Sequence, residues 1–286
     1  MKYRIKILEP SGYCKGVENA INMLMKIVDD NNYPKPIYVL GQIVHNSFVT
    51  NFFQDVGVIN IDNNFEDEIK KIKHGTIVIS AHGISKKIVE QLRMTNLKIV
   101  NTTCPYVNVV HKKIEKMLHS GYSCLYIGHE NHPETNGILG ISDDIILLTR
   151  KSRKLPTIIN DKIFVSNQTT FSYFEIQNIL DNLKNKYPHL IFDNDICDES
   201  TRRQLVVKNS KDLDLLIVVG DPKSSNSNRL YEAAISNNIS AIFISSVNDL
   251  VTMNFANIEN IGIIGGASTP DEIIAEIVDY LNKHSE

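Results

Sequence analysis

The stretch "LKIVNTTCPYVNVV", residues 97–110, passes from a short apolar run through a single cysteine, Cys104, into a helical pattern. Two other segments read the same way: "IKILEPSGYCKGVENAI" at 5–21 and "LIFDNDICDESTRRQ" at 190–204. Cys14 and Cys104 are 90 residues apart, and Cys104 and Cys197 are 93 apart, a spacing that points to three related strand–cysteine–helix units. Pro105 suits the first turn of a helix, where its missing N–H leaves no bond unmade. Helix N-termini favour thiolates, because aligned backbone dipoles and free N–H groups stabilise the anion. If the strand ends of three such units converge, Cys14, Cys104 and Cys197 form a common metal site.

At this point three readings stay open. Three thiolates suit an iron–sulfur cluster with one open iron. Three small buried cysteines would look similar. A structural zinc site is a further reading, although such sites usually show close CxxC spacing and four ligands. Cys124, inside the apolar run "SCLYIG", reads as a core residue.

Outward from the cysteines, short apolar strands alternate with amphipathic helices. The strands are "YRIKILE", "PIYVLG", "TIVIS", "LKIVN", "CLYIG", "KIFVS", "LIFD", "LDLLIVVG", "SAIFIS" and "NIGIIGG". Near-continuous apolar strands separated by helices predict an α/β fold with parallel sheets covered on both faces. The expected lobes are 1–100, carrying Cys14 and joined by the C-terminal segment 270–286, then 101–194 with Cys104, and 195–269 with Cys197. Polar residues collect just after the strands, in "GQIVHN", "SAHG", "NTTCP", "GHENHPE", "SNQTT", "GDPKSSNS" and "GGASTP". In open parallel sheets, ligands bind at the carboxyl ends of strands, so these loops predict one large polar site. Any one of them alone also serves as a helix cap.

Composition narrows the class. A net charge of −3 argues against a general nucleic-acid binder, and no apolar run approaches the ~20 residues needed to span a bilayer. The chain enters "KYRIKIL" with no signal-peptide core, which predicts a cytoplasmic protein. Four cysteines in a reducing compartment favour metal ligation, catalysis or burial over disulfides. There is no GxxxxGK[ST] phosphate loop.

From "SGYCKGV" through "GQIVHNSFV", "SAHGIS", "NTTCPYV", "GHENHPETNG", "SNQTTFS", "DICDESTRRQ" and "SSNSNRL" to "GGASTPDEII", the chain resembles the 4-hydroxy-3-methylbut-2-enyl diphosphate reductase (LytB/IspH) family. The resemblance implies a pseudo-threefold trefoil of α/β lobes around a [4Fe-4S] cluster held by Cys14, Cys104 and Cys197, with one iron open. It implies a diphosphate pocket built from His45, His82, His132, Ser224, Ser225, Asn226 and Ser268. Glu134 and Thr169 match the positions that hydrogen-bond the substrate hydroxyl. The implied reaction is the two-electron reductive dehydroxylation of an allylic diphosphate to isopentenyl and dimethylallyl diphosphate, the last step of the non-mevalonate isoprenoid pathway. Ferredoxin or flavodoxin is the implied electron donor. The chain departs from the commoner pattern at Asn19, Ser200, Lys223 and the pair Ile264–Gly265. In "HPE", His132 and Glu134 stand two residues apart, and an extended turn would aim both at the site.

Overall fold

The computed structural model describes residues 3–152 and 154–284. Among these described residues, twelve strands, numbered β1 to β12 in chain order, form three parallel four-stranded sheets. One sheet contains β2 (Ile37–Leu40), β3 (Val58–Ile61), β4 (Thr76–Ile79) and β5 (Lys98–Asn101), in the order β3-β2-β4-β5. A second contains β6 (Ser123–Ile127), β7 (Ile146–Leu148), β8 (Ile163–Asn167) and β9 (Ile191–Phe192), in the order β7-β6-β8-β9. The third joins β10 (Leu215–Val219), β11 (Ala241–Ile244) and β12 (Asn260–Gly265) to the N-terminal β1 (Arg4–Ile7), in the order β11-β10-β12-β1.

Each sheet therefore repeats one pattern: second strand, first strand, third strand, fourth strand. In the last sheet the fourth place is filled by the N-terminus, with Ile5 opposite Ile261 and Ile7 opposite Ile263. A cysteine follows every fourth strand: Cys14 after β1, Cys104 after β5, Cys197 after β9. Each run of four strands thus ends at a cysteine, and β1, the first strand of the expected lobe 1–100, lies beside β12.

Burial explains the strand compositions. The inner strands β4, β8 and β10 are buried at every position, so they are apolar throughout. The fourth strands lie at edges and tolerate Arg4, Lys6 and Lys98 on their exposed positions.

Among the described residues, ten helices connect and cover these strands. They are α1 (Lys15–Asp29), α2 (Ser47–Asp55), α3 (Phe65–Lys71), α4 (Lys86–Arg93), α5 (Pro105–His119), α6 (Pro133–Leu139), α7 (Ile176–Lys186), α8 (Asp198–Asn209), α9 (Ser225–Ser236) and α10 (Asp271–Lys283). Helical spacing sets their inner faces, as in Ala20, Leu24 and Ile27 of α1 or Val107, Val110 and Ile114 of α5. Helix α10 packs Ile273, Ile274 and Ile277 into the core that holds Ile217, Ile261 and Ile263.

By compactness the chain divides into two units. One comprises Met1–Val17, His45–Val49 and Cys197–Glu286; the other comprises Glu18–Val44 and Thr50–Ile196. Among the described residues no helix is long and apolar enough to cross a membrane.

Candidate functional site

In a sheet of this order the connections part between the first and third strands, leaving a crevice at their carboxyl ends. The polar candidates follow those strands. His45 follows β2 and His82 follows β4; His132 and Glu134 follow β6, and Thr169 follows β8. Ser224, Ser225 and Asn226 follow β10, and Ser268 follows β12. The cysteines follow the fourth strands and begin helices: Cys104 is the N-cap of α5, Cys197 that of α8, and Cys14 directly precedes α1. Pro105 is the first residue of α5.

Within the unit holding residues 50–196, the rings of His82 and His132 meet edge to face with centroids 5.8 Å apart. His82 also lines a cleft of about 440 Å³ with Gln42, Asn64, Asn131 and Asn136. The "HPE" segment is not an extended turn. His132 is the extended N-cap of α6, its Nδ1 accepting the Glu134 N–H at 3.2 Å, and Glu134 already lies in the first helical turn.

Glu134 is 2% exposed. Its Oε1 accepts the Thr169 N–H at 2.7 Å and the Tyr126 hydroxyl at 3.2 Å, while its Oε2 accepts the Thr169 hydroxyl at 2.9 Å. Burial raises its pKa from the ordinary 4.5 to about 7, with the nearby Asp195 charge adding to the rise; the bonds from Thr169 and Tyr126 oppose it. A carboxyl half-protonated near neutrality is able to donate a proton or accept one. The side chain neither caps α6 nor fixes His132.

In the other unit, hydrogen bonds connect the loops of two cysteines. Cys197 Sγ donates to Ser200 Oγ at 3.2 Å, and Asn226 Nδ2 donates to the same hydroxyl at 3.2 Å. Asn226 Oδ1 accepts the Ala267 N–H at 2.9 Å, and the Ala267 carbonyl accepts the Cys14 N–H at 3.1 Å. Ser200, one of the departures noted in the sequence, supplies the hydroxyl at the centre of this path. Ser224 caps α9 by accepting the Ser227 N–H, and Ser268 Oγ donates to the His45 carbonyl at 2.9 Å and lies 3.4 Å from Ser224 Oγ. Neither Ser268 nor Thr269 caps α10; the Thr269 hydroxyl donates to the Val219 carbonyl instead. Burial lowers the His45 pKa to about 4; the Asp221 charge works against this and Lys223 adds to it. The Asp221 carboxyl is itself held below its ordinary pKa despite burial, by bonds from Ser47 and the Lys223 N–H.

Cys14, Cys104 and Cys197 are half-buried and in no disulfide, whereas Cys124 is buried and its thiol is pushed up to about 11 by desolvation. Accessible sulfurs at helix N-termini are a donor set suited to iron and sulfide. Cys124 is not. Among the described residues no three His, Cys, Asp or Glu side chains stand close enough to hold a single metal ion.

Gly12, Tyr126 and His129 carry no signal in the sequence, and the adjacent Arg202 and Arg203 are told apart only by the structure. Arg203 is 1% exposed, pairing with Glu199 at 2.6 Å and donating to the Gly12 carbonyl at 2.9 Å, while Arg202 beside it is exposed. A Cβ on Gly12, at φ +75°, would lie 2.0 Å from Asp271 Oδ1, so the loop before Cys14 accepts only glycine there. The His129 ring stacks on Phe171 at 5.1 Å, and its peptide N–H donates to Gln168 Oε1 at 3.0 Å. Tyr126 is wholly buried against Glu134.

A LytB protein family model matches residues 5–282. The chain is 38% identical over 288 residues to a 4-hydroxy-3-methylbut-2-enyl diphosphate reductase of Bacillus mycoides, covering 98% of this chain and 90% of that one. A protein of the same name from Lysinibacillus sphaericus is 36% identical, covering 98% and 88%. The solved E-1-hydroxy-2-methyl-but-2-enyl-4-diphosphate reductase of Plasmodium falciparum superposes with a TM-score of 0.88 at 30% identity, covering 98% of this chain and 88% of that one. A second solved reductase, described as the terminal enzyme of the non-mevalonate pathway, gives a TM-score of 0.70 at 28% identity, covering 98% and 99%. The chain belongs to the LytB protein family.

Proposed function

We infer that this protein is a 4-hydroxy-3-methylbut-2-enyl diphosphate reductase, an oxidoreductase acting at the last step of non-mevalonate isoprenoid synthesis. The observation that carries the chemistry is the buried Glu134 carboxyl gripped by Thr169, in a chain that belongs to this family. Removal of an allylic hydroxyl with formation of a C–H bond takes two electrons and two protons, one proton leaving in water and one remaining on carbon. Glu134 supplies the proton that lets the hydroxyl leave as water, and Thr169 orients that hydroxyl.

Cys14, Cys104 and Cys197 would hold an iron–sulfur cluster, consistent with the family's use of one. When bound, such a cluster with an open iron supplies the electrons and a Lewis-acidic site for the oxygen. The diphosphate is recognised by His45, His82, His132, Ser224, Ser225, Asn226 and Ser268, whose hydroxyl, amide and imidazole groups offer hydrogen bonds to its oxygens. His45, neutral in the free protein, gains a proton as phosphate charge arrives beside it. The N-terminus of α9, capped by Ser224, adds backbone N–H groups favourable to an anion. Ferredoxin or flavodoxin delivers the electrons in the cytoplasm.

The test is anaerobic purification followed by iron and sulfide analysis, Mössbauer spectroscopy and assay of the allylic diphosphate with a chemical reductant. Stoichiometric sulfide and formation of isopentenyl and dimethylallyl diphosphate support the reading; a sulfide-free protein that leaves the substrate unchanged overturns it.

A further inference from the structure

Tyr126 lies on β6, wholly buried, in a cluster with Val110, Ile114, Ile138 and Phe164. A phenylalanine would fill this space equally well. A buried hydroxyl is costly to desolvate unless it is bonded, and among the described residues the one partner of this hydroxyl is Glu134 Oε1. Space for the ring edge is kept by Gly128, where a Cβ would lie 2.9 Å from Tyr126 Cε1 and 2.7 Å from Thr135 Oγ1.

The two oxygens of Glu134 are not equivalent. Oε1 faces two donors, and one of them, the Thr169 peptide N–H, cannot reverse its role. A proton on Oε1 would confront that N–H at 2.7 Å. Oε2 faces the Thr169 hydroxyl, which both donates and accepts. With the proton on Oε2, the Thr169 hydroxyl accepts it and turns its own hydrogen outward.

We propose that Tyr126 is a positioning residue: together with the Thr169 N–H it holds Glu134 Oε1 as an acceptor and so confines the transferable proton to Oε2. The proposal rests on the reading of Glu134 as the acid and adds the residue that fixes where its proton sits. The groups acting on the carboxyl are Tyr126 from β6, Thr169 after β8, and Asp195 before α8. Asp195 is in turn held by Ser166 and Lys113, the latter also bonded to Asp193 at 2.7 Å. The Tyr126 bond favours the ionised carboxyl, so its loss raises the Glu134 pKa further.

Infrared titration of the anaerobic holoenzyme tests this, using the protonated-carboxyl band that Glu134→Gln deletes. Tyr126→Phe is expected to move that band's midpoint upward by roughly one pH unit. Difluorotyrosine incorporated at position 126, a stronger donor of the same shape, is expected to move it downward. The basic limb of the single-turnover rate should move with the band in each variant. An unmoved midpoint in the difluorotyrosine protein overturns the role of Tyr126, whatever Tyr126→Phe does to folding. If Glu134→Gln deletes no titrating band, the acid assignment itself falls and the positioning role falls with it.

Discussion

Thr169 holds both oxygens of the Glu134 carboxyl, donating its peptide N–H to Oε1 at 2.7 Å and its hydroxyl to Oε2 at 2.9 Å. Glutamine reproduces the shape and bonding of the protonated acid but has no proton to give. Glu134→Gln should therefore retain its cluster and bind substrate, yet reduce it on the order of 10²-fold or more slowly. Single turnover with a chemically reduced protein measures this without the electron donor. Near-normal C–O cleavage would remove Glu134 as the proton source.

The same carboxyl ties stability to pH. Its folded pKa of about 7 lies above the ordinary 4.5, so between those values the folded protein binds more proton than the unfolded chain. Its contribution is fully present below 4.5 and is lost as pH rises through 7, a change on the order of 3 kcal/mol. Denaturant titrations of the wild type and Glu134→Gln from pH 5 to 8 should show a declining curve that the variant flattens.

Cysteine replacement separates ligands from core. Cys14→Ser, Cys104→Ser and Cys197→Ser should each lose activity and bind iron poorly, while Cys124→Ser leaves both largely intact. Iron and sulfide content with Mössbauer spectra report the outcome, and normal turnover in any of the first three variants would sink the three-ligand arrangement.

For the anion pocket, His45→Ala, His82→Ala and Ser224→Ala should weaken binding of the product diphosphate without removing iron. Each lost bond to a charged group costs about 1.5–3 kcal/mol. Because His45 is neutral in the free protein, wild-type binding should also take up a proton. Calorimetry in buffers of different ionisation enthalpy detects that uptake, which His45→Ala should reduce.

Arg203→Ala leaves the Gly12 carbonyl without its donor and Glu199 without its buried partner. A loss of about 3 kcal/mol in unfolding free energy is expected, on the scale of breaking a buried pair. Arg202→Ala, one residue away and exposed, should be nearly neutral; equal losses would show that the burial of Arg203 is energetically irrelevant.

Much of this was legible in the sequence because short β-rich runs alternate with amphipathic helices, and ten of the twelve strands among the described residues stand out as such runs. The two that did not, Val58–Ile61 and Ile146–Leu148, are edge strands of four and three residues. The partnership of Arg4–Ile7 with Asn260–Gly265 joins the two ends of the chain, and local pattern carries no trace of so distant a pairing. Cysteines before helices were readable from spacing. Tyr126 was not, since inside "SCLYIG" a tyrosine bonded to a carboxyl looks like any core aromatic. Of the adjacent Arg202 and Arg203, either of which reads as a surface charge or as packing near the Cys197 loop, only the four-residue separation from Glu199 hints that Arg203 is the buried one.

Because β1 lies at the edge beside β12, the order of synthesis matters to this fold. On the ribosome, the sheets of β2–β5 and β6–β9 have all their strands once Phe192 has emerged. The first strand made then still lacks a neighbour and must wait for residue 260 and beyond. Cys14 follows that strand, so its loop takes its final form only when the chain is almost finished. Iron and sulfide would therefore be loaded onto completed protein, and a truncation just before β12 should leave the N-terminal cysteine stranded on an unpaired segment.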